Sequence, residues 1–331
     1  MEAQQVTENK FSIWFSENKS ECLLLIFIAL IFVISPLFSD AFLDIDNLMN
    51  LLRQASFLVI VSIGMGLVIL LGGIDLSIGA VMQLVGLCTI LILGAGVPAW
   101  AALIIALLMG AGLGAINGLL TVFGRLQPFI ATLATAAIMT GIIMTYTEGN
   151  SVTASGIDPT FKYLGGGYVG IVPIPAVVMI VIAVLFWWIM SKTTYGRYLY
   201  ATGSNKVAAH NAGVKTKTME IFVYTLSGTL AALSGYLYFA RIASFQPSTA
   251  ATGGSSLEIM AIAAVVIGGG SLAGGKGTVL GAVLGAMVSS ILLNFLVLLD
   301  MGIWFQRFLL GLVIVVVVLF TSGSLNIWRK T

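Results

Sequence analysis

Gln54-Ala-Ser-Phe-Leu-Val-Ile-Val-Ser-Ile-Gly-Met-Gly-Leu-Val-Ile-Leu-Leu71 contains no charged residue, and Gly72-Gly-Ile-Asp-Leu-Ser-Ile-Gly79 follows it directly. A second apolar run then covers 76–94. A helix crossing a bilayer core needs roughly 20 mostly apolar residues. Two such runs joined by a short polar break read as membrane helices. The whole chain agrees: of its 331 residues 59% are hydrophobic and 8% charged, against about 25% charged in a soluble domain. So little charge could not keep a soluble surface wet. The 38 glycines suit closely packed membrane helices.

Further runs place segments at 22–38, 54–71, 76–94, 98–122, 128–147, 171–190, 220–240, 257–272, 279–299 and 303–320. The expected fold class is therefore all-α: a polytopic membrane protein with about ten transmembrane helices, some broken or short. The eighth is the shortest, its Ala261-Ile-Ala-Ala-Val-Val-Ile267 centre running straight into glycines. Lysine and arginine favour the cytoplasmic side. With the N-terminus inside, every one of the 15 except Arg53, Lys162, Arg241 and Arg307 falls on the cytoplasmic face. Lysines near both ends then require an even number of crossings and both termini cytoplasmic. The organisation expected is a cytoplasmic N-terminal segment 1–21, one transmembrane domain 22–320 and a cytoplasmic tail 321–331. The polar, mixed-charge start and the long run 22–38 do not read as a removable signal peptide. Cys22 and Cys88 both lie in apolar runs and read as packing residues.

Between the second and third segments, the paired Gly72 and Gly73 can break a helix, and Asp75 or Ser77 can cap the next one. Broken membrane helices persist only where protein or a watery path satisfies the backbone. Asp75 and Ser77 therefore read either as part of a translocation route or as a cap at a cytoplasmic turn. Ile267-Gly-Gly-Gly-Ser-Leu-Ala-Gly-Gly-Lys-Gly-Thr278 nearly spells a phosphate-binding loop. Gly277 stands where that loop needs a hydroxyl, and no buried strand precedes it, so nucleotide binding is rejected here. Val265-Val-Ile-Gly-Gly269 echoes Val68-Ile-Leu-Leu-Gly-Gly73, and paired interruptions point to a transport path. Gly110, Gly114 and Gly118 share one helix face, as do Gly281 and Gly285, and read as close-packing surfaces. Polar residues scattered through the spans include Asn117, Thr132, Thr135 and Asn294, with Phe129 as a nearby aromatic face. As a set they could receive a polyhydroxylated solute, and singly they could bond between helices. The connection 191–219 carries five basic residues and reads as a docking surface or as a topology anchor. The one histidine, His210, lies in that connection, and no metal-ligand spacing or nucleophile–base pair is present. The chain reads as neither an enzyme nor a cofactor protein.

Four stretches together resemble the bacterial ribose-type ABC sugar permeases. They are Gly72-Gly-Ile-Asp-Leu-Ser-Ile-Gly79, Gln127-Pro-Phe-Ile-Ala-Thr-Leu133, Gly196-Arg-Tyr-Leu-Tyr-Ala-Thr-Gly-Ser-Asn205 and Ala263-Ala-Val-Val-Ile-Gly-Gly-Gly-Ser-Leu-Ala-Gly-Gly-Lys-Gly277. Their order and spacing match from about 43 to 318. Gly203-Ser204-Asn205 departs from the paired glycines usual before that asparagine. The resemblance implies a multi-pass subunit of the bacterial inner membrane, set in lipid and paired with a second permease subunit, identical or paralogous. It implies a cytoplasmic ABC ATPase with two nucleotide-binding modules, a periplasmic solute-binding protein and a small sugar substrate, with no nucleic acid and no cofactor. It also implies that Asn205-Lys-Val-Ala-Ala-His-Asn-Ala-Gly213 is the helix that docks the ATPase. Asn205, Ala208, Ala209, His210 and Gly213 would form that contact, the alanines allowing close approach and Gly213 ending the helix. The substrate route would take Asp75, Ser77, Asn117, Phe129, Thr132 and Asn294. A self-sufficient ion-coupled transporter is the rival reading, and Asp75 would then be its coupling carboxylate. A non-transporting membrane scaffold is a second.

Overall fold

A computed structural model describes residues 19–247, 257–309, 311 and 312. In chain order the helices are α1 (Lys19–Ile34), α2 (Ile45–Leu70), α3 (Ile78–Gly94), α4 (Ala99–Val122), α5 (Pro128–Thr147), α6 (Pro159–Gly166), α7 (Ile174–Lys192), α8 (Thr194–Ser204), α9 (Lys206–Asn211), α10 (Thr216–Ile242), α11 (Leu257–Ile267) and α12 (Val279–Leu298). Two short antiparallel ribbons join β1 (Val152–Thr153) to β4 (Ser244–Phe245) and β2 (Tyr168–Val169) to β3 (Val172–Pro173). Among the described residues seven helices, with α1 extended to Leu37, are long and apolar enough to cross a membrane, whereas α3 and α11 are shorter apolar helices. Nine of the ten expected segments thus coincide with helices. The tenth, 303–320, is helical over 303–309 and otherwise lies largely outside the described residues, as do the tail 321–331 and most of the segment 1–21.

Helix boundaries follow local chemistry. Pro128 opens α5 at its first position, where its missing N–H costs nothing. Thr278 caps α12 by accepting from the Gly281 amide at 2.8 Å. Helix α2 begins nine residues before the run that announced it. Its polar first turns are held by neighbours: Asn47 exchanges side-chain bonds with Asn294, Arg241 donates to Asn50, and Arg53 donates to the Gly166 carbonyl. Asp158 accepts from the Ala99 amide at 2.9 Å and the Thr160 amide at 2.8 Å, so one carboxylate caps both α4 and α6. Those two amides hold its carboxyl below the usual carboxylate range. Phe161 of α6 is fully buried edge-on against Tyr236.

The main core is an apolar cluster centred on α2, α3 and α10, with two smaller clusters where α1 packs on α12 and on the start of α2. Helices α4 and α10 meet backbone to backbone at the glycine face. A methyl at Gly118 would lie 2.7 Å from the Ile221 Cα, and methyls at Gly110 and Gly114 would strike Ala232 and the Tyr224 carbonyl. Gly281 and Gly285 bring α12 equally close to Gly268 and Ala264. Both small-residue faces are packing surfaces.

Candidate functional site

The peptide after α2 turns sharply. Gly72 adopts φ +78°, and the Gly73 amide donates back to the Val68 carbonyl at 3.0 Å. A methyl at Gly73 would meet the Tyr224 hydroxyl at 2.6 Å. Only glycines fit this turn, and it carries the following residues into the middle of the helices. Asp75 is 1% exposed there. Its Oδ1 accepts from the Ser77 amide (3.0 Å) and the Ser77 hydroxyl (2.6 Å), and its Oδ2 accepts from the Ser227 hydroxyl (2.9 Å). Asn117 Nδ2 donates to Ser77 Oγ at 2.7 Å, and Thr135 Oγ1 donates to Asn117 Oδ1 at 2.7 Å. Thr132 Oγ1 accepts from the Leu76 amide at 3.1 Å. One polar chain therefore ties the break to α10, α4 and α5.

A carboxylate away from water is costly unless donors compensate it. Three neutral donors do so here. Among the described residues the only ion pair lies elsewhere, between Lys206 and Glu220. The arrangement offers a fixed carboxyl acceptor flanked by hydroxyl and amide groups, with no cation paired to it among the described residues.

Four of the six expected pathway residues thus come together: Asp75, Ser77, Asn117 and Thr132. Phe129 stands apart, 49% exposed on the outer side of α5. Asn294 pairs with Asn47 at the far end of α2, separated from the break by about 35 Å of helix. Ser227 joins the network unannounced, because α10 carries several hydroxyls and only packing shows which of them meets Asp75.

The connection 191–219 folds as two short helices. The Asn205 side chain caps α9 by accepting from the Ala208 amide at 2.9 Å, and Gly213 closes it at φ +89°. Ala208 and His210 are exposed, and so is Val207, at 70%. Ala209 differs. At 6% exposure it packs against its own chain. It therefore supports α9 from within. Helix α8 leans on the break itself: a methyl at Gly203 would strike the Leu70 carbonyl, which accepts from the Gly275 amide at 2.8 Å. Tyr200 donates to the Gly277 carbonyl at 2.8 Å. The glycine loop 268–277 is thus a tight bend packed on both α2 and α8.

Residues 47–318 match a family described as branched-chain amino acid transport system / permease component. The chain belongs to this permease family. It is 40% identical over 305 residues to the ribose import permease protein RbsC of Haemophilus influenzae, covering 92% of each chain. Against RbsC of Bacillus subtilis it is 38% identical over 287 residues, 87% of this chain and 88% of that one. Against the D-allose transport system permease protein AlsC of Escherichia coli it is 33% identical over 318 residues, 96% of this chain and 95% of that one. No solved structure matches. The protein is a multi-pass permease subunit of the bacterial inner membrane, a transport component and not an enzyme, of an importer that works with a separate ATPase. Membership implies a cognate ATPase and a solute-binding protein.

Proposed function

We propose that this permease moves a monosaccharide, or a solute of similar size and polarity, inward by alternating access. Its partners are a second permease subunit, an ATPase with two nucleotide-binding modules, and a periplasmic binding protein that delivers the solute. The observation that carries this reading is the Asp75 network. A zwitterionic amino acid asks a site for charges of both signs, whereas a sugar asks for hydroxyl-type donors and acceptors. Asp75, Ser77, Asn117 and Thr132 supply the latter, and among the described residues no cation pairs with Asp75. Relatives named for ribose and allose favour the same class.

In this reading the Asp75 group lines the route at the break, and Asn294 with Asn47 stands near its opposite end. Phe129 faces outward in the conformation described and would meet the route only through movement of α5. The experiment is uptake of labelled ribose by cells carrying the whole system, challenged with excess unlabelled sugars or leucine. Sugars should compete and leucine should not; the reverse would assign the permease to amino acids. Asp75→Asn keeps the shape, and Ser227 can turn its hydroxyl to accept from the new amide, so only the charge is removed. Uptake should fall at least about tenfold, the cost of losing roughly 1.4 kcal/mol in a charge-assisted contact. Unchanged uptake would leave Asp75 a structural cap.

Ten crossings with both termini inside complete the proposal. In a background lacking Cys22 and Cys88, an impermeant thiol reagent on intact cells should label a cysteine at Ser155 but not one at Ser204, both exposed positions. Labelling of the Ser204 site alone would invert the topology.

A further inference from the structure

The ion pair between Lys206 and Glu220 joins the first residue of α9 to the second turn of α10. Its two ends differ. Lys206 is largely exposed, whereas Glu220 is buried. Glu220, Tyr224, Ser227, Ala231 and Ser234 recur every three or four residues, so they share one face of α10, and all five are buried. That face makes the permease's central polar contacts. Ser227 donates to Asp75, and Ser234 Oγ donates to the Phe57 carbonyl of α2 at 2.9 Å. Glu220 stands two turns before Ser227, about 10 Å along the axis.

Between those turns α10 is clamped against α4. The Tyr224 carbonyl lies where a side chain at Gly114 would be, and a methyl at Gly228 would meet Gly114 backbone atoms at 2.9 Å. Contact between backbones leaves no side chain to absorb a shift, so this stretch of α10 moves as a body. Helix α9, by contrast, continues into α10 through residues 212–215, where Gly213 takes a left-handed conformation. A glycine link of this kind bends readily. The link is tied only within itself, the Val214 amide donating to the Ala209 carbonyl at 3.0 Å, while the ion pair spans it to the body of α10.

We infer that Lys206 and Glu220 form a strut that carries displacement of α9 into α10, and through Ser227 into the Asp75 network. Both are positioning residues. The inference rests on the reading of α9 as the ATPase-docking helix and adds the route by which docking reaches the break. Helix α8 touches that break independently through Gly203, so loss of the strut lowers coupling without abolishing it.

The test uses the full transporter reconstituted in lipid, measuring ribose moved per ATP hydrolysed and the ATPase recovered with the permease. Glu220→Gln preserves shape and removes the charge. It should recover the ATPase at the wild-type level while transport per ATP falls on the order of tenfold, within the usual range of a coupling between sites. The double exchange Lys206→Glu with Glu220→Lys should restore most of that ratio, an outcome a merely space-filling pair would not give. Lys206→Gln, altered at the exposed end, serves the same comparison should Glu220→Gln fail to accumulate. A wild-type ratio in the single variants, or an exchange no better than they are, overturns the strut. Failure of the docking reading is separable, because Val207→Glu would then keep its ATPase.

Discussion

A Gly114→Leu permease is expected to accumulate poorly in the membrane and to melt well below the wild type once extracted. The new side chain would run into the Tyr224 carbonyl, with the Tyr224 carbonyl carbon at 2.9 Å and the Thr225 Cα at 3.1 Å. All are backbone atoms, so nothing can swing aside and α4 must part from α10. Overpacking by a methylene or so costs about 1–3 kcal/mol; a whole isobutyl group between two clamped helices sits at the upper end or beyond. The damage reaches the site directly, since Asn117 lies one turn further along α4 and Ser227 faces it from α10 through Asp75 and Ser77. Gly112→Leu is the control. A Cβ there meets nothing within 4 Å, so the side chain points into open space and that variant should melt like the wild type. Equal stability of the two variants, read by fluorescence-detected thermal unfolding, would show that the α4–α10 contact is not close.

Val207→Glu is expected to leave the permease folded and to strip it of its ATPase. Val207 is 70% exposed on α9 and makes no core contact, so substitution there costs the permease little. Seated in a partner's groove, a valine contributes about 1.5–3 kcal/mol, and a glutamate in its place adds the penalty of an unpaired charge. Recovery of the ATPase by co-purification should drop by at least about tenfold. His210→Ala, at an exposed position on the same short helix, should be milder. Ala209→Trp tests something else: Ala209 is buried within the permease, so its enlargement disturbs α9 before any partner arrives.

Much of this architecture can be read from the residues, since lipid demands long apolar runs and proline and glycine mark where they stop. Pro128 and Gly72 delimit helices where expected. The polar start of α2 was hidden because Asn47, Asn50 and Arg53 look like loop residues until their partners on α12, α10 and α6 are seen. Helix α6 carried a readable signal, Asp158 followed by Pro159, inside a glycine-rich connection that masked it. At the site, Asp75 and Ser77 declared themselves by chemistry out of place in an apolar run. Asn117 and Thr132 followed as polar residues within spans. Ser227 did not, because its role depends on which helix lies opposite. The inward turn of Ala209 has the same origin: composition shows that a helix can approach closely, and only packing shows which of its faces is free.

The proposed function makes this chain a sugar route opened by an ATPase acting through α9. It is tested most directly by ribose accumulation in proteoliposomes holding the permease and ATPase, with the binding protein outside and ATP enclosed. Accumulation should require enclosed ATP, persist when ionophores collapse all ion gradients, and vanish in Val207→Glu vesicles. Uptake that survives without ATP and stops with the ionophores would contradict the account and make the permease an ion-coupled carrier.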